Sequence, residues 1–142
     1  MWICPLCQQQ FLHQNQNHSC NDRTLECFLE GKSEITTLLF NRFVDEYRKI
    51  GDFVLHPTKS KIGFAAKIRF CSIINLGKNY IDVVFHMNQL FEDNLCFHKM
   101  GQIPGSNTFN HHCRIFSIDD INDELKQYMQ IAYDLGIKKE NL

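Results

Sequence analysis

Residues 57–87, PTKSKIGFAAKIRFCSIINLGKNYIDVVFHM, are the stretch whose reading decides the fold. Ile, Val, Phe and Tyr recur through 61–64, 68–76 and 80–86, the composition of pleated strands, and Gly77-Lys78-Asn79 separates the last two segments as a hairpin turn. Two or three sheet strands are therefore expected here. Alternation along them sends Lys59 and Lys61 to one side and Ile62 and Phe64 to the other, and it separates Arg69 from Phe70 in the same way. The stretch is also locally basic. No acidic residue falls between Asp52 and Asp82, whereas Lys59, Lys61, Lys67, Arg69 and Lys78 do, in a chain of formal net charge -1.

Working outward, Ser33 is placed to cap a helix with Glu34 in its first turn. Ile35, Leu38, Leu39, Phe43, Tyr47 and Ile50 then recur at helical spacing until Gly51. Before it, residues 24–30 fit a short helical turn ended by Gly31. On the other side, residues 96–100 form a candidate strand, Pro104-Gly105-Ser106-Asn107 a turn, and 109–116 a last strand. Ser117 is placed to cap the second main helix, with Asp119 and Asp120 at its positive end. Ile121, Leu125, Met129 and Ala132 face the core, and Gly136 stands near the stop. A run of strands bracketed by helices, with no internal repeat, predicts an α+β fold in which a mostly antiparallel β-sheet packs against two α-helices.

The N-terminus carries different chemistry. Cys4, Cys7, His18 and Cys20 make C-x2-C-x10-H-x-C, three thiols and an imidazole of the Cys3His set that holds structural zinc as a closed tetrahedron. A closed set leaves no position for substrate, so the expected zinc is structural. His13 and Cys27 are the alternative ligands, and Trp2 and Phe11 are placed to cover the ion. This reading divides the chain into a zinc knuckle, residues 1–23, and an α+β domain, residues 24–142. From residue 1 to 31 the only Lys or Arg is Arg23, against Asp22, Glu26 and Glu30, so the knuckle itself is a poor phosphate binder. Its acidity suits a protein-interaction role instead.

Composition bounds the rest. With 142 residues and 44% apolar content the chain belongs with globular domains. Apolar runs are only a few residues long and no basic-then-apolar leader opens the sequence, so no membrane role and a cytoplasmic location are expected. The seven cysteines are odd in number, and Cys71, Cys96 and Cys113 stand singly in strand-like sequence, a pattern of reduced thiols.

Three segments carry a resemblance: Cys4-Pro5-x-Cys7 with Asn15-Gln16-x-His18-Ser19-Cys20, then Pro57-Thr58-Lys59-x-x-Ile62-x-Phe64 with Arg69-Phe70, and His111-His112-x-Arg114-Ile115. Together they resemble the bacterial domain-of-unknown-function family 5655 over nearly the whole chain. The resemblance implies a zinc-finger-like N-terminus before the domain and a nucleic-acid-associated setting, and it supplies no activity. Gln8, Gln9 and Gln10 depart from it where the family commonly has Gly and basic residues.

The candidate anion- or nucleic-acid-binding residues are Thr58, Lys59, Lys61, Arg69, His112 and Arg114, on one sheet face. The expected function is thus a zinc-binding module that binds nucleic acid or a nucleotide-like anion. The alternatives are a protein-interaction adaptor using the knuckle, and an enzyme whose site is not recognised. No catalytic residue is assigned. Glu124-Leu125-Lys126 imitates a nuclease pattern but sits in helical periodicity, and Cys113 beside His112 reads as a buried structural thiol. His86, His98, His111 and His112 could form a second metal site only by converging, and adjacent strand residues such as His111 and His112 point to opposite faces.

Overall fold

The computed structural model describes residues 2–3, 5, 10–11, 14, 24–91 and 97–137. At the N-terminus β1 (Trp2–Ile3) pairs antiparallel with β2 (Gln10–Phe11). The short helix α1 (Leu25–Leu29) is capped by Thr24, whose hydroxyl accepts from the Cys27 amide at 3.2 Å, and it delivers Phe28 to the core. Helix α2 (Glu34–Ile50) begins where Ser33 Oγ accepts from the Thr36 amide at 3.1 Å and ends before Gly51, as its sequence predicts. At Gly51 a side chain would collide with Tyr133, whose hydroxyl donates to the Asp52 carbonyl at 2.9 Å.

The sheet has six antiparallel strands: β3 (Val54–Pro57), β4 (Ile62–Ala65), β5 (Arg69–Gly77), β6 (Tyr80–Met87), β7 (Lys99–Gln102) and β8 (Phe109–Ile115), in the spatial order β3-β4-β5-β6-β8-β7. Asn79, in the left-handed region at φ 66, turns β5 into β6. That turn is bolted to α2: Thr36 Oγ1 donates to the Gly77 carbonyl at 2.6 Å and accepts from the Asn79 amide at 2.9 Å. A 3-10 turn (Ile118–Asp120) leads into the last helix, α3 (Asp123–Ile137).

Both long helices lie on one face of the sheet. Phe43 and Tyr47 of α2 meet Phe64 and Phe70 with ring centroids 5.1–5.7 Å apart, Phe85 lies 6.1 Å from Phe43, and Tyr133 of α3 lies 5.2 Å from Phe70. Tyr47 donates to the Met129 carbonyl at 2.9 Å, which ties α2 to α3 inside this core. At the solvent side of the same helix pair, Glu46 gathers Lys49 at 3.1 Å, Arg42 at 3.2 Å and Lys126 at 3.4 Å. The Lys49 hydrogen bond, with Lys126 behind it, holds the Glu46 carboxyl below its ordinary range despite burial. Lys126 of the nuclease-like tripeptide is thus a helix-pairing residue, and Leu125 is core.

Three expectations are corrected. The buried side of α2 is Thr36, Leu39, Phe40, Phe43, Val44, Glu46 and Tyr47, so Ile35 (47% exposed) and Leu38 (51%) face away from the core; the buried stripe accepts polar Thr36 and Glu46 because each has partners, which hydropathy alone does not reveal. Ser117 caps the 3-10 turn through a box with Asp120 rather than the helix, and Asn122 Oδ1 accepts from the Leu125 amide at 2.9 Å to start α3. Strand β3 escapes the sequence pattern, since Pro57 and a run of only four residues conceal it. It is the sheet's edge, where a proline is tolerated. The knuckle ligands Cys4, Cys7, His18 and Cys20, with Glu92 and Cys96, lie outside the described residues.

Candidate functional site on the outer sheet face

Register assigns every strand residue to a face. Ile62, Phe64, Cys71, Ile73, Ile81, Val83, Phe85, Cys113 and Ile115 pair across the strands on the helix-covered side. The outer face, away from α2 and α3, carries the alternate residues: His56, Gly63, Arg69, Ser72, Asn75, Tyr80, Asp82, Val84, His86, Asn110, His112, Arg114 and Lys99. Lys61 joins them, one residue before Ile62. The register shift between Phe64 and Ala65 makes Phe70 the extra residue of β5. It drops into the aromatic core while Arg69, paired with Ala65, stays outside.

Arg69 lies flat across β4. A Cβ on Gly63 would stand 2.5 Å from Arg69 Nε, so the guanidinium occupies the space that glycine leaves. Lys61 is beside it: burial, and then the Arg69 charge, push the Lys61 ammonium below its ordinary range, and burial lowers Arg69 as well. His86 completes the group from β6. Burial depresses its imidazole, a hydrogen bond to Asn110 Oδ1 (2.6 Å at Nδ1) opposes this, and Lys61, Arg69 and His112 depress it further. His112 is likewise held low by burial and then by Lys99 and His98, whose ring lies 6.3 Å away. At the floor between these groups Ser72, 1% exposed, has a hydroxyl with no hydrogen-bond partner among the described residues.

The six residues named from the sequence therefore divide. Lys61, Arg69 and His112 come together on the outer face. Arg114 shares the face but is already taken: Nε and Nη2 grip Asp82 at 2.7 and 3.0 Å, and its guanidinium lies 4.2 Å over the Tyr80 ring. Asp82 is the carboxylate that sequence spacing put outside the basic stretch, and strand pairing sets it opposite Arg114. Thr58 works within the β3–β4 turn, its hydroxyl donating to the Lys61 carbonyl at 3.1 Å and receiving the Lys61 amide at 3.3 Å, and Lys59 is exposed in that same turn. The turn thereby orients Lys61.

His86 and Ser72 are members that the sequence pattern does not place at this site. Only the β5–β6 register, through Ser72 opposite Val84, brings them to Arg69 and His112. Of the four histidines weighed as a metal set, His111 is on the helix side between Phe91 and Phe97 rings. Its Nε2 accepts from the Phe91 amide at 3.1 Å, so Nδ1 carries the proton and donates to the Phe109 carbonyl at 3.2 Å. Among the described residues no group of three or more His, Cys, Asp or Glu could hold a metal ion. Cys71 and Cys113 are buried and unbridged, and burial raises the Cys71 thiol far above its ordinary range, which keeps it protonated and unreactive.

A family profile described as Domain of unknown function (DUF5655) matches residues 27–136, a span that runs from α1 through α3 and includes every strand of the large sheet. The chain belongs to this family. The matched span begins after the C-x2-C and H-x-C segments, so DUF5655 membership rests on the body and the outer-face cluster lies wholly inside it. No match is found among curated proteins, nor among solved structures. No helix of the described DUF5655 residues is long and apolar enough to cross a membrane.

Proposed function

We propose that this DUF5655 protein is a binding or accessory protein for nucleic acid or another phosphate-bearing ligand, held on the outer sheet face by Lys61 and Arg69 with His86 and His112 beside them. One observation carries the reading. Lys61 and Arg69 are half-buried, adjacent cations with no carboxylate within ion-pair distance among the described residues, whereas Arg114 on the same face has Asp82. Like charges held together in a partly desolvated setting favour an anion between them, and Arg69 presents a fork that can take two phosphate oxygens. The test is a titration of the full chain with a labelled oligonucleotide at low and at moderate salt. Affinity should fall steeply with salt, because each phosphate contact releases condensed counterions. Affinity absent at both salt concentrations removes the proposal.

Zinc at Cys4, Cys7, His18 and Cys20 belongs to the same reading as a structural element, with residues 1–23 as the knuckle and 24–142 as the body. Its support is the ligand spacing and the pairing of Trp2 with Phe11 and Ile3 with Gln10. This pairs β1 with β2 antiparallel, and in sequence the C-x2-C segment falls between the two strands. Metal analysis of the purified chain is expected to give about one zinc per chain, falling toward zero in Cys7→Ser. A metal-free protein whose folding is indifferent to chelator rules it out.

A further inference from the structure

Phe116 is the most exposed large apolar side chain among the described residues, at 59%. It follows Ile115, a helix-side residue, and so projects on the outer face, where its ring centroid lies 6.0 Å from that of Tyr80. Tyr80 is in turn fixed. Its ring lies against Gly77, Asn75 donates to its hydroxyl at 3.2 Å, and the Arg114 guanidinium covers it at 4.2 Å, itself locked by Asp82. An aromatic ring left in water gains nothing for folding, yet here its neighbours are positioned by a chain of specific contacts. From Tyr80 to His86 along β6 the outer face runs about 20 Å; Lys61 lies two strands across from Asp82 and the Arg69 guanidinium, over Gly63, two strands across from Val84, so the cations flank the middle of this span.

We infer that the occupant of this face is a short single-stranded nucleic acid, with a base stacked on Phe116 and phosphates on Lys61 and Arg69 two strands away. The inference rests on the phosphate-binding reading and adds the bases to it. A duplex hides its base faces and cannot use Phe116, whereas an unpaired strand of about four nucleotides offers both a π-face and the backbone charge over such a span. Next to Tyr80 the face presents Asp82 with its charge already matched by Arg114. Charge fits the strand as well: Lys61, Arg69 and Lys99 are on this face, with His86 and His112 able to add to them on protonation.

Three probes of equal length separate the claims: labelled oligothymidylate, the same backbone with abasic sites throughout, and a duplex. The wild-type chain should bind oligothymidylate about tenfold more tightly than the abasic strand or the duplex. Phe116→Ala should remove about tenfold of the oligothymidylate affinity, Phe116→Trp should keep it, and neither should change abasic binding or the melting temperature. If the abasic strand binds as well as oligothymidylate, or Phe116→Ala weakens both alike or neither, the stacking inference fails while the phosphate reading stands. A duplex bound most tightly also overturns it. If no probe binds, both readings fall.

Discussion

Phe43→Ala is expected to destabilise the protein by about 3–5 kcal/mol, the cost of deleting a buried aromatic and leaving a cavity that rigid neighbours cannot refill. Phe43 is fully buried on α2, edge-on to Tyr47 at 5.3 Å and Phe64 at 5.6 Å, with Phe85 at 6.1 Å, so it joins the helix to β4 and β6 at once. Urea titration followed by circular dichroism should show a midpoint far below wild type with an unchanged slope. The contrast lies on the same helix. Ile35→Ala and Leu38→Ala, at outward positions, should stay within about 0.5 kcal/mol of wild type. Comparable losses at Phe43 and Ile35 would mean that α2 is rotated relative to the sheet.

Replacing Lys61 and Arg69 together by alanine is expected to weaken oligonucleotide binding by about thirtyfold or more at low salt and to flatten the salt slope by about two, one for each phosphate no longer neutralised. Arg69→Lys should be intermediate, since an ammonium keeps the charge but not the two-pronged grip. Removing the Arg114–Asp82 pair together, Arg114→Ala with Asp82→Asn, should change affinity far less, because Asp82 already holds that guanidinium at 2.7 and 3.0 Å. The same titration repeated across pH has a signed outcome. Burial and cationic neighbours depress His86, so it is neutral at neutral pH and gains its charge only below the ordinary histidine range; anion affinity should rise as pH falls through that region. Equal affinity for wild type and the Lys61 and Arg69 double variant would end the assignment of these two residues.

Without a bound anion His86 works the other way on stability. Its folded value is depressed, so the unfolded chain takes up the proton first. The His86 contribution is then intact above the ordinary histidine range and is lost as pH falls through the folded value. A ligand that stabilises the protonated imidazole would reverse part of this loss, so on the proposed reading phosphate binding should be coupled to proton uptake at the outer face.

By itself the sequence determined the elements whose signals are local. Ser33 and Gly51 bound α2, Asn79 turns β5 into β6, and the β-branched and aromatic run from Ile62 to Met87 makes three adjacent strands, because caps, turns and alternation each depend on residues within a few positions of one another. Alternation likewise placed Lys61 and Arg69 opposite Ile62 and Phe70. What neighbours these faces acquire was decided only by tertiary structure. Setting β8 between β6 and β7 brings Arg114 to Asp82, 32 residues away, and closes a cation that looked free along the chain. The β5–β6 register puts Ser72 and His86 beside Arg69, and the bulge at Phe70 keeps Arg69 outside while its neighbour enters the core. Such pairings are set by which register buries the most apolar surface across the whole sheet, a sum over distant residues that no local stretch of sequence contains.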